Sequence, residues 1–170
     1  MSREILFRAK RIDNGEWVEG FVFDDGLVGS NRMFCGGLVI TDYMGTADDE
    51  FEVGINFYEV DPSTVCQYTE LIDMNGRKIW ENDIVRFHGD DKEIAKIVFG
   101  EFTVVETATL QGIDKVIGWH YEILPTDELS RIEPINCPMQ IDEYYVNVLN
   151  AEVVGNIFDN QKLVGKLKFN

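Results

Sequence analysis

The chain has 170 residues, 45% of them apolar, and its 31 Asp and Glu against 15 Lys and Arg leave a formal net charge of −16. That size suits one compact domain or two small ones, and that charge argues against general nucleic-acid binding, whose affinity comes mostly from Lys and Arg neutralising phosphates, and against adhesion to an anionic membrane surface. No run approaches the about 18 consecutive apolar residues of a membrane span, and Met1 to Arg11 alternates charge with hydrophobes where a signal peptide has an unbroken apolar centre, so a cytoplasmic location is expected.

The pattern along the chain is mostly that of strands. Glu4 to Arg8 places Ile5 and Phe7 on one face with the period of two of a half-buried strand. Asp13, Asn14 and Gly15 supply turn chemistry, and Glu16 to Phe23, rich in aromatic and β-branched residues, completes a predicted N-terminal hairpin. Gly36, Gly37 and Gly45 read as punctuation around a short strand at Leu38 to Thr41. Phe51 to Val60 is a further strand, ended by Asp61 and Pro62 because proline has no amide hydrogen to give a ladder.

Between Arg32 and Arg77 stand nine acidic residues and no Lys or Arg, the most biased interval of the sequence. A calcium loop needs oxygen ligands at fixed alternating positions, a glycine at the bend and a bidentate Glu at the end. Asp48 to Gly54 lacks that order, so no metal is expected, and the segment reads by default as a solvated acidic loop. Asp48, Asp49, Glu50 and Glu52 are retained as a candidate acidic contact surface.

Downstream, Asn75-Gly76 between Leu71-Ile72 and Ile79-Trp80 predicts a tight reversal of type I′, a turn with positive φ at both central residues. Glu81, Asn82 and Asp83 make a second turn before Ile84, Val85 and Phe87. Glu93 to Phe99, Phe102 to Ala108, Val116 to Tyr121 and Glu152 to Ile157 continue the strands, with glycines at or near the breaks. Five strands after residue 83 suit a small, strongly bent sheet or barrel. Thr126 to Ile132 has the capped, acidic first turn of a short helix, and Asp159 to Val164 that of a helical turn. Met139 to Leu149 fits helix through Ile141, Tyr144, Tyr145 and Leu149 and strand through Val146 and Val148, and the periodicity does not decide between them.

Four blocks in order carry a family resemblance: Arg3-Glu4-Ile5-Leu6-Phe7-Arg8-Ala9, then Val60 to Thr69, then Asp73 to Val85, and Val153 to Asn160. Together they resemble the YopX family of phage and prophage proteins. The resemblance implies a phage or prophage origin and a mainly β fold with a little helix. The stop at Asp61-Pro62 sets off an N-terminal β-hairpin subdomain with the acidic loop, residues 1–62, from residues 63–170, for which the resemblance implies an SH3-type barrel-like subdomain; one integrated unit is the alternative. The resemblance implies no mechanism, since the family has no established activity and no catalytic residue to carry over. The chain departs from the family pattern at Cys66 and Glu70, where small residues and often glycine are common, at Asn82 in place of a frequent glycine, and at Gln161 in place of a common proline. Asn82 is expected to adopt positive φ, which Asn tolerates better than most residues.

No enzyme is expected, and no cofactor. There is no phosphate loop, no dinucleotide-binding glycine motif and no nucleophile elbow. Cys35, Cys66 and Cys137 are odd in number and form no CxxC, so they read as buried thiols, and His88 and His120 make no HExxH site. Asp83 reads as a local acceptor for backbone N–H groups at a turn, Glu81 with Asp83 does not make a catalytic pair, and Trp17, Trp80 and Trp119 read as core or contact residues. The leading functional reading is a non-enzymatic accessory protein presenting strands and loops to protein partners or to copies of itself, a homo-oligomer in the latter case. The alternative is an acidic mimic of nucleic acid that binds a basic host protein. Direct nucleic-acid binding through Arg77, Lys78, Arg86, Lys92 and Lys96 is the weakest reading.

Overall fold

Turn chemistry sets the first hairpin. The computed structural model describes residues 5–41, 52–106, 109, 111–126 and 137–165. β1 (Phe7–Lys10) and β2 (Trp17–Asp24) pair antiparallel, Phe7 opposite Gly20 and Lys10 opposite Trp17. Between them Gly15 takes φ 73°, and the Asn14 side-chain oxygen accepts from Glu16 N at 3.0 Å. β1 begins three residues later than Glu4, and Ile5 is exposed.

β3 (Met33–Thr41) runs straight through Gly36 and Gly37, which the sequence suggested as breaks. The reason is close approach of neighbouring strands. A Cβ at Gly20 would lie 2.0 Å from the Gly36 carbonyl oxygen, and one at Gly36 would lie 2.0 Å from that of Asn56. Glycine here permits a tightly coiled ladder instead of interrupting it. β4 (Glu52–Val60) follows β3 in unbroken register, from Met33 opposite Val60 to Thr41 opposite Glu52. At its end Arg11 bridges Val60, Ile12 N donates to Glu59 O at 3.0 Å, and Asp61 N donates to Lys10 O at 2.8 Å. Asp61 caps a 3-10 turn, Pro62–Thr64, and β5 (Cys66–Ile72) begins beside β1.

The chain divides into two compact units, Met1–Gln67 and Tyr68–Asn170, the division falling inside β5. The first unit has a small core of Ala9, Cys35 and Val60, with Val18, Val22, Met33 and Val65 against it.

In the second unit, β5 turns back into β6 (Lys78–Trp80), with Ile72 opposite Lys78. The reversal falls where Asn75-Gly76 predicts it, but only Gly76 has positive φ, 80°, and its N–H donates to Asp73 O at 3.0 Å. Asp73 replaces the type I′ turn with a wider one: its Oδ1 accepts from Asn75 N at 2.8 Å and Arg77 N at 2.9 Å. β7 (Asp83–Arg86), β8 (Ile94–Val105), β9 (Gly112–Leu124), β10 (Met139–Gln140) and β11 (Glu152–Asn156) form an antiparallel sheet in the order β10-β9-β8-β7-β11. Gly100 and Gly118 do not break β8 and β9; they face each other inside the ladder.

Met139 to Leu149 is both strand and helix. β10 is followed by α1 (Glu143–Val148), whose Asp142 cap accepts from Tyr145 N at 2.9 Å. α2 (Gln161–Gly165) lies at the predicted C-terminal turn. The helix predicted at Thr126 to Ile132 falls, after Thr126, outside the described residues. Ile79, Val85, Phe87, Ala95, Ile97, Tyr121, Ile141, Val146 and Ala151 form the main core, and Ile84, Ile94 and Leu124 a second cluster. The protein is thus β-rich with two antiparallel sheets, as expected. Among the described residues no sheet closes into the SH3-type barrel that the resemblance implies.

Candidate functional site

Strand alternation divides the first unit's sheet into two faces. Val22, Cys35 and Tyr58 lie in one cross-strand row, on the face that holds the core. The rows on the opposite face join Phe21 to Gly36 and Phe57, and Phe23 to Phe34 and Glu59. This second face is aromatic and open: Phe21 is 62% exposed, Ile55 59%, Phe23 43% and Phe57 39%. The rings are ordered against each other, Phe23 stacking on Phe34 with centroids 5.6 Å apart and meeting Phe57 edge-on at 4.7 Å. Four large apolar side chains gathered on one solvent-facing sheet surface are the kind of patch that marks an interaction site.

Charge borders this face. Arg32 reaches across from the start of β3 to Glu59 on β4, its Nε and Nη2 donating to the two carboxylate oxygens at 2.9 Å each. That guanidinium holds the Glu59 carboxyl below the usual carboxylate range, and hydrogen bonds from Ser63 do the same for Asp61. Both stay ionised at neutral pH. An open groove of about 760 Å³ beside the face is lined by residues including Phe23, Asp24, Arg32, Met33, Asp61 and Pro62. Of the predicted acidic contact surface, Asp48, Asp49 and Glu50 lie outside the described residues, and Glu52 opens β4 opposite Thr41.

The outer edge of β4 has its own chemistry. Because Glu59 directs its carbonyl away from β3 toward Ile12, strand alternation directs the backbone N–H and C=O of Phe57, Ile55 and Val53 to that same outer edge. Among the described residues no strand pairs there beyond the bridge at Val60.

The second unit uses its polar residues differently. Asp73 is buried and binds three backbone N–H groups, the third being Val153 N at 3.0 Å on Oδ2, so it fastens the β5–β6 turn to β11. Asp83 is buried, and its Oδ2 accepts from Trp80 N at 2.9 Å, the local role the sequence predicts. Asn156 organises the turn after β11: its Oδ1 accepts from Phe158 N and Asp159 N, each at 2.9 Å. Gly155 is needed beside it, since a Cβ there would meet Asn160 Oδ1 at 2.3 Å. Asn82 takes φ 64°, as expected, and Glu70 takes φ 69°.

The tempting catalytic types are engaged elsewhere. His120 is buried, stacked on Phe102 at 4.6 Å, with Nδ1 3.2 Å from Gly118 O, and His88 Nδ1 lies 2.7 Å from Glu93. The buried thiols of Cys35 and Cys66 donate to the carbonyls of Val18 and Thr64. Trp80 is buried, Trp119 packs on Phe99 at 5.0 Å, and Trp17 lies beneath the Arg8 guanidinium at 4.6 Å. One arrangement had no sequence signal: Glu70 and Glu143, both exposed, line a pocket of about 270 Å³ with Leu71, Ile72 and Asn147. Among the described residues no group of three His, Cys, Asp or Glu side chains is placed to hold a metal ion, and no helix is long and apolar enough to cross a membrane.

A family model described as the YopX protein matches residues 6–165, nearly the whole chain. The chain belongs to the YopX family. No curated protein matches it. In this YopX chain the segment Val153 to Asn160 is organised by the Asn156 turn, and Asp73 to Val85 by the buried carboxylates of Asp73 and Asp83. The aromatic face lies on β2, β3 and β4, whereas the sequence marks the acidic loop as the contact surface. Its signal was the alternation of Phe21, Val22 and Phe23, which marks two faces but not which of them is covered.

Proposed function

We propose that this YopX-family protein is a non-enzymatic accessory protein of a phage or prophage, and that its first unit binds a protein partner through the aromatic face of β2, β3 and β4. The observation that carries this reading is the exposure of Phe21, Phe23, Ile55 and Phe57 together on one face of a sheet. Aromatic anchors beside polar residues are the usual composition of a binding patch. Affinity isolation from induced host cells, comparing the wild-type chain with the Phe21→Ser, Phe23→Ser, Phe57→Ser triple variant, tests it. The expected result is loss of specific partners with unchanged circular dichroism. An identical set of captured proteins overturns the reading.

A second reading is supported by the interval from Arg32 to Arg77, which has no cation within it. There Asp48, Asp49, Glu50 and Glu52 imitate the charge of nucleic acid and engage a basic host protein, with an attraction that salt weakens. Retention of that host protein after replacement of the four residues by Ser and Asn counts against it. Direct nucleic-acid binding is least supported: Arg86 is bonded to Asp91 and Glu152, Lys96 to Glu122, and Arg77 to the Val153 carbonyl.

A further inference from the structure

We infer that Asn75 is a site of spontaneous covalent modification: in the folded chain its side-chain amide closes onto the Gly76 nitrogen and reopens as aspartate and isoaspartate, and the isoaspartate form loosens the grip of Asp73 on the β5–β6 turn. The inference is independent of the partner-binding reading.

The sequence holds the pair Asn-Gly twice, at Asn14-Gly15 and Asn75-Gly76. Asparagine is among the thermolabile residues, and a following glycine leaves its own backbone nitrogen free to attack the side-chain carbonyl, because no Cβ shields it. The two pairs stand in matching backbone surroundings. Both asparagines are exposed. Gly15 and Gly76 take φ 73° and 80°, and a Cβ built on either would meet no atom beyond its chain neighbours within 4 Å. Each glycine N–H donates to one carbonyl of its turn, Gly15 to Arg11 O and Gly76 to Asp73 O, both at 3.0 Å.

The pairs differ at the asparagine side chain. Asn14 is held at both ends of its amide: Nδ2 donates to the Glu16 carboxylate at 2.8 Å, and Oδ1 accepts from Glu16 N at 3.0 Å. Among the described residues nothing bonds the Asn75 side chain, and the turn is fastened instead through the Asn75 backbone N–H, which donates to Asp73. Ring closure at Asn14 must first open two hydrogen bonds, one of them to a carboxylate, and at Asn75 none, a difference worth about tenfold or more in rate.

The chemistry needs only water. The Gly76 nitrogen loses its proton and attacks Asn75 Cγ, the N–Cγ bond forms, the Cγ–Nδ2 bond breaks, and the amide leaves as ammonia with that proton. Water then opens the cyclic imide at either carbonyl, giving OH to the carbon and H to the nitrogen. Breaking the Cγ–N bond yields aspartate, and breaking the bond to the backbone carbonyl carbon of residue 75 yields isoaspartate. The isoaspartate main chain runs through Cβ and Cγ and is one atom longer between the N–H groups of residues 75 and 77. Asp73 Oδ1, which accepts from those two groups at 2.8 Å and 2.9 Å, then no longer spans both. Its Oδ2 holds Val153 N at 3.0 Å, so the change reaches β11.

The test incubates the full chain at mildly alkaline pH, folded and in denaturing urea, and follows both asparagines by peptide mapping with mass spectrometry. Isoaspartate is counted by enzymatic methyl labelling. In the folded chain Asn75 is expected to convert at least tenfold faster than Asn14, and in urea the two are expected to convert at matching rates. Asn75→Gln, whose longer side chain closes the ring far more slowly, is expected to remove the folded-state product. Deuterium exchange at Val153 N is expected to be at least tenfold faster in the isoaspartate fraction than in fresh protein. Equal rates at the two sites in the folded chain, faster conversion at Asn14, an unchanged Asn75 after many half-lives of the unfolded chain, or the same preference for Asn75 in urea overturns the inference. Unchanged exchange at Val153 overturns the loosening of the turn.

Discussion

The two units put the same residue types to opposite uses. In the second, Phe87 and Tyr121 are buried and meet edge-on at 4.9 Å, and Tyr68 packs on Trp80 at 5.3 Å within the interior. In the first, Phe21, Phe23 and Phe57 stand on the outer face of the sheet, and the buried cluster is made of Ala9, Cys35 and Val60. Carboxylates divide the same way. Asp73 and Asp83 are buried acceptors for backbone N–H groups, while Asp24, Glu59 and Asp61 border solvent. The second unit therefore holds Phe87, Tyr121, Tyr68 and Trp80 inside, and the first displays Phe21, Phe23 and Phe57.

Substituting one phenylalanine in each unit gives the widest test of that contrast. Phe87→Ala removes a ring from the main core and should cost about 3–5 kcal/mol. Phe21→Ser changes a surface ring and should stay within about 0.5 kcal/mol. Urea denaturation of both variants checks the pair, and equal losses would show that the outer face of the first unit is packed as a core. The next effect in size is at Asp73. Asp73→Ala strips the partner from three backbone N–H groups, with an expected loss of about 3 kcal/mol, readable by the same denaturation.

Gly36→Ala should cost about 2 kcal/mol in the first unit, since the added carbon meets the Asn56 backbone oxygen and a neighbouring strand must move. Gly37→Ala, at a position with no atom near the added carbon, is its control and should cost less. Cys35 supplies a pH test of how tightly that small core is sealed. Burial, with a smaller contribution from Glu19, pushes its thiol up to about 11. The folded chain thus holds this proton more tightly than the unfolded chain. The resulting stability is complete below the unfolded value of 9.0 and is lost as pH rises toward 11. Roughly 2 kcal/mol of alkaline sensitivity should disappear in Cys35→Ala, measured as the difference in unfolding free energy between pH 8 and 11.

What the sequence revealed was largely backbone chemistry. Gly15, Gly76 and Asn82 each mark a reversal because few residues tolerate positive φ, Asp61-Pro62 marks a stop because proline has no amide hydrogen, and all four positions fall where a strand ends or turns. Gly36 misled for a related reason: glycine also serves strands that approach closely, and one sequence does not distinguish that use from a turn; Gly37, Gly100 and Gly118 lie inside continuous ladders with no such close approach. The turn at Asn75-Gly76 was placed correctly but mistyped, because the Asp73 side chain competes for the local N–H groups. The binding face was hidden more deeply. Period-two alternation shows that Phe21 and Phe23 share a face, but whether another element covers that face depends on contacts remote in sequence. The acidic run drew attention to Asp48, Asp49, Glu50 and Glu52, whereas the described surface is built from rings on β2 and β4.

The smallest effect concerns strain in the second unit. Glu70 and Asn82 occupy left-handed backbone, at φ 69° and 64°, where glycine is unstrained. Asn accommodates this region through its short polar side chain, whereas the longer Glu side chain has no such relief. Glu70→Gly should therefore raise stability by about 1 kcal/mol, and Asn82→Gly by only a few tenths, both read as shifts of the denaturation midpoint. Glu70 also lines the pocket it shares with Glu143, so its retention in place of glycine exchanges backbone comfort for a carboxylate at that position. A loss of stability in Glu70→Gly would mean that the contacts of its side chain outweigh the strain, and that the carboxylate side chain serves the fold of the second unit.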